Sequence, residues 1–369
     1  MGINELRSVR AIPPLSVFED IDALYISHFH LDHLGLLGAL PPGTKVYVPT
    51  ISMLKVIEEW YRASPTWMAE LPHKLHTEVI ELKPYREDEL GVIPIPVSHS
   101  AYPADSFIYR GHNSIVFYSG DLRVDGLLGP RINTLENIEK VVGSEGIDIG
   151  LLEGTNIGEV ETPVGSDEFR IMVNKVLMSN KLVIVSIDPV DFEMFTTVTE
   201  LASLSSRTIV IASPRLVDVL PQWHNSMLST DTEKLAVASE IEKPALIPVN
   251  YVSLKQDVLK DPDNFLLIQE PIGFLEMLRR MKTWGEKLQT EAISILTMPE
   301  PLESEAEIEE KVLTYWLNIL GVHIYRIRIS GHYYPHELRN LLEVVKPRKL
   351  IPIHTKHPSL VLRLAKQVK

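Results

Sequence analysis

Apolar positions along this chain come in short runs, and several of the runs stop at a side chain able to bind a metal or move a proton. Asp22 to His28 reads as a buried strand ending on a histidine. Gly91 to Val97 is followed by Ser98-His99, Ser114 to Tyr118 by Ser119-Gly120-Asp121, and Ile147 to Leu152 by Glu153. Runs of this length, bounded by turn residues, are the signature of strands with both faces covered. Between them, Leu34 to Leu40 is predicted as a short helix closed by Pro41-Pro42-Gly43, a strand follows at Lys45 to Val48, and residues 51–63 carry Met53, Leu54, Ile57 and Trp60 at helical spacing. Strand, loop, helix and strand in this order predict a layered α/β arrangement, and open α/β sheets place their chemistry at strand ends.

The rhythm changes after residues 155–166, which are rich in Gly, Thr and Glu and read as an exit from a first domain. A helix at about 165–179, a strand at 181–187, a helix at 190–202 and a strand at 208–212 predict a parallel sheet with covering helices. Residues 216–263 divide poorly. Beyond them the pattern predicts a strand at 265–268, a helix at 271–283 opening on proline, a strand at 293–297 and a helix at about 305–320. A strand at 322–329 ends at Ser330-Gly331-His332, residues 335–345 read as a helix, and the strand Lys349 to Ile353 ends at His354.

Composition narrows the chemistry. The 369 residues contain no cysteine, which excludes disulfides, iron–sulfur ligation and thiolate metal sites, so any metal must rest on imidazole and carboxylate. The net charge of −13 argues against a broad surface for wrapping duplex nucleic acid, while leaving room for a local cationic path. Apolar stretches such as Leu182 to Val185 fall far short of the roughly 18 residues of a membrane span. The first 20 residues lack the pattern of a secretory leader, so the cytoplasm is the expected location.

His28-Phe29-His30-Leu31-Asp32-His33 concentrates ligands. In a looped segment His28 and His30 share a side, while Asp32 and His33 diverge toward a neighbouring point, a geometry suited to two ions. The cluster cannot complete two coordination spheres, and His99, Asp121 and His354, each at a strand end, are the candidates to do so. His28, His30 and His99 would hold one ion, Asp32, His33 and His354 the other, with Asp121 bridging them.

HxHxDH after a strand resembles the signature of the metallo-β-lactamase fold. Tyr118-Ser-Gly-Asp-Leu-Arg123, Leu151-Leu-Glu-Gly-Thr155, Ser330-Gly-His332 and Pro352-Ile-His-Thr-Lys-His-Pro358 resemble, in order, the later motifs of the β-CASP ribonucleases, including the RNase J type. The resemblance implies an α/β architecture, a metallo-β-lactamase αββα sandwich with an inserted β-CASP α/β domain. Its parts would be 1–158, an insertion at 159–320 and a return segment at 321–369, with the RNA cleft between domains. The seven residues His28, His30, Asp32, His33, His99, Asp121 and His354 resemble the family's metal ligands. Asp32, Glu153 and His332 match its catalytic positions: His332 to protonate a leaving oxygen or stabilise charge on the phosphate, Glu153 to orient an imidazole or a bound water, or simply to support its neighbours.

The activity so implied is hydrolysis of RNA phosphodiesters by a water activated between two Zn²⁺ ions, with Mn²⁺ as the alternative metal and single-stranded RNA as substrate. Endonucleolytic and 5′-exonucleolytic cleavage both stay open. A metallo-hydrolase of DNA or of a small phosphoester, or a non-catalytic scaffold of the same fold, are the competing readings. Arg123, Arg215, Arg326, Arg328 and Lys356 are expected to supply local positive charge, and Tyr333 and Tyr334 to stack on a substrate, while Phe29 packs its own loop. This chain reaches His28 after only 27 residues, so its N-terminal strands appear shortened relative to the family. A sheet edge left open in this way would favour a homodimer.

Overall fold

The first apolar runs form a small parallel sheet in the computed structural model: β1 (Ala23–Tyr25), β2 (Lys45–Val48) and β3 (Glu78–Glu81), in that order. The structure describes the chain except residues 1–2, 11–12, 38–39, 42, 63–77, 144–145, 161–162, 180, 225–233, 281–291, 299–303 and 369. A second sheet has the order β15-β7-β6-β5-β4 and is built from β4 (Val92–Val97), β5 (Ala104–Arg110), β6 (Ile115–Tyr118), β7 (Ile149–Glu153) and β15 (Lys349–Ile353). Antiparallel pairing at β4–β5 and β5–β6 gives way to parallel pairing at β6–β7 and β7–β15. The helix Ile51–Arg62 buries Met53, Leu54 and Ile57 and contacts β3 of the small sheet. Tyr47, Leu82, Val92 and Phe107 pack together from the two sheets. The helices Thr134–Val142, Leu338–Val345 and Pro358–Val368 pack Ile138, Val142, Leu341, Val345 and Val361 into the core of the five-stranded sheet. Helix, sheet, sheet, helix is an αββα sandwich.

A second unit contains a wholly parallel seven-stranded sheet of order β11-β10-β9-β12-β8-β13-β14. Its strands are β8 (Leu182–Ser186), β9 (Thr208–Ile211), β10 (Leu235–Ala238), β11 (Asn250–Val252), β12 (Phe265–Gln269), β13 (Ala292–Met298) and β14 (His323–Arg328). Leu182 to Val185, Ile209 to Ile211 and Leu266 to Ile268 are lost to solvent on both faces, which is why these segments read as unbroken apolar runs. Each such side chain contributes about 1.5–3 kcal/mol relative to exposure. One face is covered by the helices Pro271–Arg280 and Ser304–Ile319, through Phe274, Met277, Leu313 and Leu317. Contacts divide the chain into Met1–Val124, Ile132–Gly158 and His332–Lys369 on one side, and Asp125–Arg131 and Glu159–Gly331 on the other.

One predicted element is corrected. Instead of one helix from Leu34 onward, a single helical turn occupies Leu31–Leu34, Gly35 and Leu36 form a turn and Leu37 is 3-10 helical, while residues 38–39 of the predicted helix lie outside the described residues. The turn places Asp32 and His33 next to each other on a tight bend while Leu34 is buried as its anchor. The parts of the predicted helices that fall on residues 63 and 281–283 lie outside the described residues.

Candidate metal centre

β1 delivers His28. After Tyr25 the chain stays tied to the sheet: Ile26 N donates to Tyr47 O at 2.9 Å, and Ser27 O accepts from Asp105 N at 2.9 Å. Phe29 within the run and Leu34 just after it are buried, so the loop is pinned by apolar side chains and its polar ones are left to face each other. β4 leads to Ser98, whose N donates to Thr134 Oγ1 at 3.0 Å and whose O accepts from Arg123 N at 2.6 Å, and thereby holds His99. β6 leads through Gly120 to Asp121. Gly120 has φ +56°, and a Cβ there would lie 2.9 Å from Asp105 O and 3.1 Å from Ser27 Cβ, so both conformation and space demand glycine. β15 ends at His354, itself at φ +45°, a strained backbone of the kind found at functional sites.

These segments bring the seven predicted side chains together in two groups, His28, His30 and His99 in one and Asp32, His33, Asp121 and His354 in the other. Within each group the donor atoms all lie within 4.8 Å of one another. Asp121 touches both: its Oδ2 is 2.9 Å from His33 Nε2, 3.6 Å from His354 Nε2 and 3.8 Å from His28 Nε2. Asp32 Oδ2 lies 3.2 Å from His354 Nε2 and 3.4 Å from His33 Nε2. In the first group, His99 Nε2 and His30 Nδ1 are 3.1 Å apart. His28 and Asp121 are buried, whereas the Asp32 and His354 side chains are 60% and 33% exposed, so the second group is the one open to solvent.

The donors fit divalent cations. His28 Nε2 and Asp121 Oδ1 are buried yet make no hydrogen bond, a costly state that a cation would relieve. Burial, with His99, His33 and His30 around it, holds His28 well below its ordinary value, so the ring is neutral and able to ligate. Burial opposes charge on Asp121 as well, but His33 and the nearby His332 and His28 outweigh it and hold the carboxyl well below the usual range. Burial pulls His33 down while its bonds to Asp121 and Asp32 push it up more, so without a cation it keeps a proton that a cation would displace.

Neighbouring groups orient the rings. Ser27 Oγ lies 3.1 Å from His28 Nδ1, and Thr155 Oγ1 lies 2.7 Å from His354 Nδ1, which turns the Nε2 of each ring toward the carboxylates. Neither Ser27 nor Thr155 stands out in the sequence, although Thr155 sits within the Leu-Leu-Glu-Gly-Thr motif. Glu153, at the end of β7, is fully buried, and its Oε1 meets His332 Nδ1 at 3.1 Å while Oε2 accepts from Thr155 N at 2.8 Å. His332 lies beside both groups, its ring centroid 5.3 Å from that of His99 and 5.4 Å from that of His354. Asn156 Nδ2 donates to His332 O at 3.2 Å and to Tyr333 O at 3.0 Å, fixing this segment from below.

Other expectations fare differently. Tyr333 is buried and donates its hydroxyl to Glu153 O at 2.5 Å, and Tyr334 is 9% exposed, so neither offers an open face for stacking. Phe29 is buried within its own loop. Arg123 is 2% exposed, Arg215 faces Glu270 at 3.5 Å, and Arg326 pairs with Glu310 and Thr314, so the positive charge expected of these three is buried or already partnered.

The αββα sandwich and the donor set are those expected of a metallo-β-lactamase fold. A family model described as a β-lactamase superfamily domain matches residues 3–155. Ribonuclease J of Mycoplasma genitalium is 24% identical over 359 residues, covering 90% of this chain and 57% of the relative. Ribonuclease J of Mycolicibacterium smegmatis is 21% identical over 367 residues, covering 93% and 60%. The chain thus spans somewhat over half the length of these curated relatives. A crystal structure of a protein of unknown function from Enterococcus faecalis V583 shares the fold, with a TM-score of 0.70 and 21% identity over 92% of this chain and 76% of that one. Together the family-model match and these relatives make the chain similar to metallo-β-lactamase proteins of the β-CASP, ribonuclease J-like kind.

Proposed function

We propose that this chain is a metal-dependent hydrolase of RNA phosphodiester bonds. The observation that carries the reading is the gathering of seven imidazole and carboxylate donors in two groups, with Asp121 of one group 3.8 Å from His28 of the other and the His332–Glu153 pair beside them. Ribonuclease J is the name borne by the relatives that match most of the chain, and it supplies the choice of RNA.

Ions held there, with zinc the best match to imidazole and carboxylate donors, would lower the pKa of a coordinated water and neutralise charge on phosphoryl oxygens. His28, His30 and His99 form one holding set and Asp32, His33 and His354 the other, with Asp121 serving both. Because Glu153 accepts at Nδ1 of His332, the proton His332 handles is at Nε2, where it can be given to a departing or non-bridging oxygen. Glu153 acts through His332, as a positioning residue. The exposed rim at Asp32 and His354 is the side from which a phosphate can approach.

A phosphoester smaller than RNA is the second reading, favoured by the net charge of −13 and by the burial or pairing of Arg123, Arg215 and Arg326. Zinc-loaded protein should cleave 5′-labelled single-stranded RNA faster than single-stranded DNA or bis(p-nitrophenyl) phosphate. Hydrolysis of the small ester with RNA left intact would replace the first reading by the second.

A further inference from the structure

Residues 344–369 hold seven Lys and Arg and no Asp or Glu, in a chain whose net charge is −13. This segment is the electrostatic exception, and it is the one that supplies His354. Its fold turns the charge into a track. β15 ends one residue before His354, on the open rim of the second donor group, and the helix Pro358–Val368 begins four residues after it. The link between them is fixed. His357 N donates to Thr355 Oγ1 at 3.0 Å, and His357 O accepts from Leu360 N at 2.9 Å. The His357 ring fills the space beside Gly158, where a Cβ would lie 2.4 Å from its Cδ2. On the helix Val361 and Ala365 are buried, with Leu360, Leu364 and Val368 packed against the same core. Ser359, Arg363 and Lys366 fall on the opposite face at helical spacing and are exposed, as is Lys356 in the link. Arg348 faces Asp148 at 2.8 Å, but among the described residues Lys356, Arg363 and Lys366 meet no carboxylate. Unpaired cations thus run from the metal rim along about 12 Å of helix.

We infer that this face holds the backbone of a single-stranded RNA whose scissile phosphate lies at the metals. Lys356 is the cation nearest the ions, and Arg363 and Lys366 meet phosphates further along the strand. The inference rests on the hydrolase reading above and adds the route of its substrate. Like charges gathered on one face repel one another, a cost that a polyanion with regularly spaced charges removes. An anionic lipid surface fits less well, because the apolar face of the helix is already packed on the sheet and only Leu362 of its large apolar side chains is exposed.

Steady-state cleavage of a 5′-labelled RNA of about 20 nucleotides by the zinc-loaded full chain, over a series of salt concentrations, tests this. Arg363→Ala/Lys366→Ala should raise KM about tenfold or more at low salt, with kcat and zinc content at the parent's values. It should also flatten the slope of log KM against log salt by about 1.4, two cations at roughly 0.7 each. Arg363→Lys/Lys366→Arg keeps both charges and should behave as the parent. Lys255→Ala/Lys260→Ala removes the same charge from exposed positions of the other unit and should leave KM unchanged. An unaltered KM and salt slope in Arg363→Ala/Lys366→Ala, or an equal rise of KM in Lys255→Ala/Lys260→Ala, would overturn the inference while the hydrolase reading stands. So would a parent that pellets with phosphatidylserine vesicles through Arg363 and Lys366 yet cuts RNA equally well without them. A parent that leaves RNA intact would overturn both.

Discussion

Glu153 Oε1 and His332 Nδ1 lie 3.1 Å apart, with both side chains withdrawn from solvent and 179 positions apart along the chain. Such a carboxylate sets which ring nitrogen carries the proton. Glu153→Gln should therefore lower kcat for RNA cleavage by about 10–100-fold, with metal content unchanged. Steady-state kinetics alongside elemental analysis checks it; loss of metal in parallel with rate would place Glu153 among the groups that hold the ions instead.

Asp121 Oδ2 lies close to histidines of both groups, so its removal should affect both. Asp121→Ala is expected to release both ions after dialysis, whereas His354→Ala should release one. Elemental analysis at fixed free zinc distinguishes the two. Equal losses in the variants would argue against a shared carboxylate.

Gly120 makes the approach of Asp121 sterically feasible. Gly120→Ala puts a Cβ 2.9 Å from Asp105 O at φ +56° and should cost at least about 1–2 kcal/mol of stability, with weaker metal binding as the loop shifts. Urea unfolding of the metal-free protein measures the first effect. Unchanged stability would show that the loop yields at no cost.

Asp105 offers a pH signature separate from the ligands. Burial pushes its carboxyl up to about 7, above the ordinary carboxylate range, so the folded state holds a proton that the unfolded chain releases. The sign follows: Asp105's contribution is most favourable below the ordinary carboxylate range, is lost as pH rises to about 7, and is level beyond that. Asp105→Asn should be stabilising at pH 8 by on the order of a few kcal/mol and close to neutral near pH 4, in metal-free protein where the ligand histidines are common to both samples. Urea titrations at the two pH values decide, and a constant difference between parent and variant would refute the assignment.

What the sequence disclosed follows from how local each signal is. His28 to His33 is readable because six consecutive residues carry it, and His99, Asp121, Glu153, His332 and His354 because each closes an apolar run. Ser27 and Thr155 are not readable in this way: Thr155 acquires its role only from His354, 199 residues away. Residues 216–263 resisted division for physical reasons. The helix Pro214–His224 contains Pro221, β10 is four residues of mostly small side chains, and Leu254–Val258 is a short π-helix, so none presents a sustained period. At Leu34 to Leu36 a helix is expected where an anchored turn follows Leu31–Leu34, since apolar content alone cannot tell the two apart.

The most direct test of the whole account is cleavage of 5′-labelled single-stranded RNA by the full chain before chelation, after removal of metal, and after zinc or manganese is returned. Cleavage that vanishes on chelation and recovers on resupply is the predicted result. RNA left intact by the metal-loaded protein, or cut equally fast by the stripped one, would contradict it.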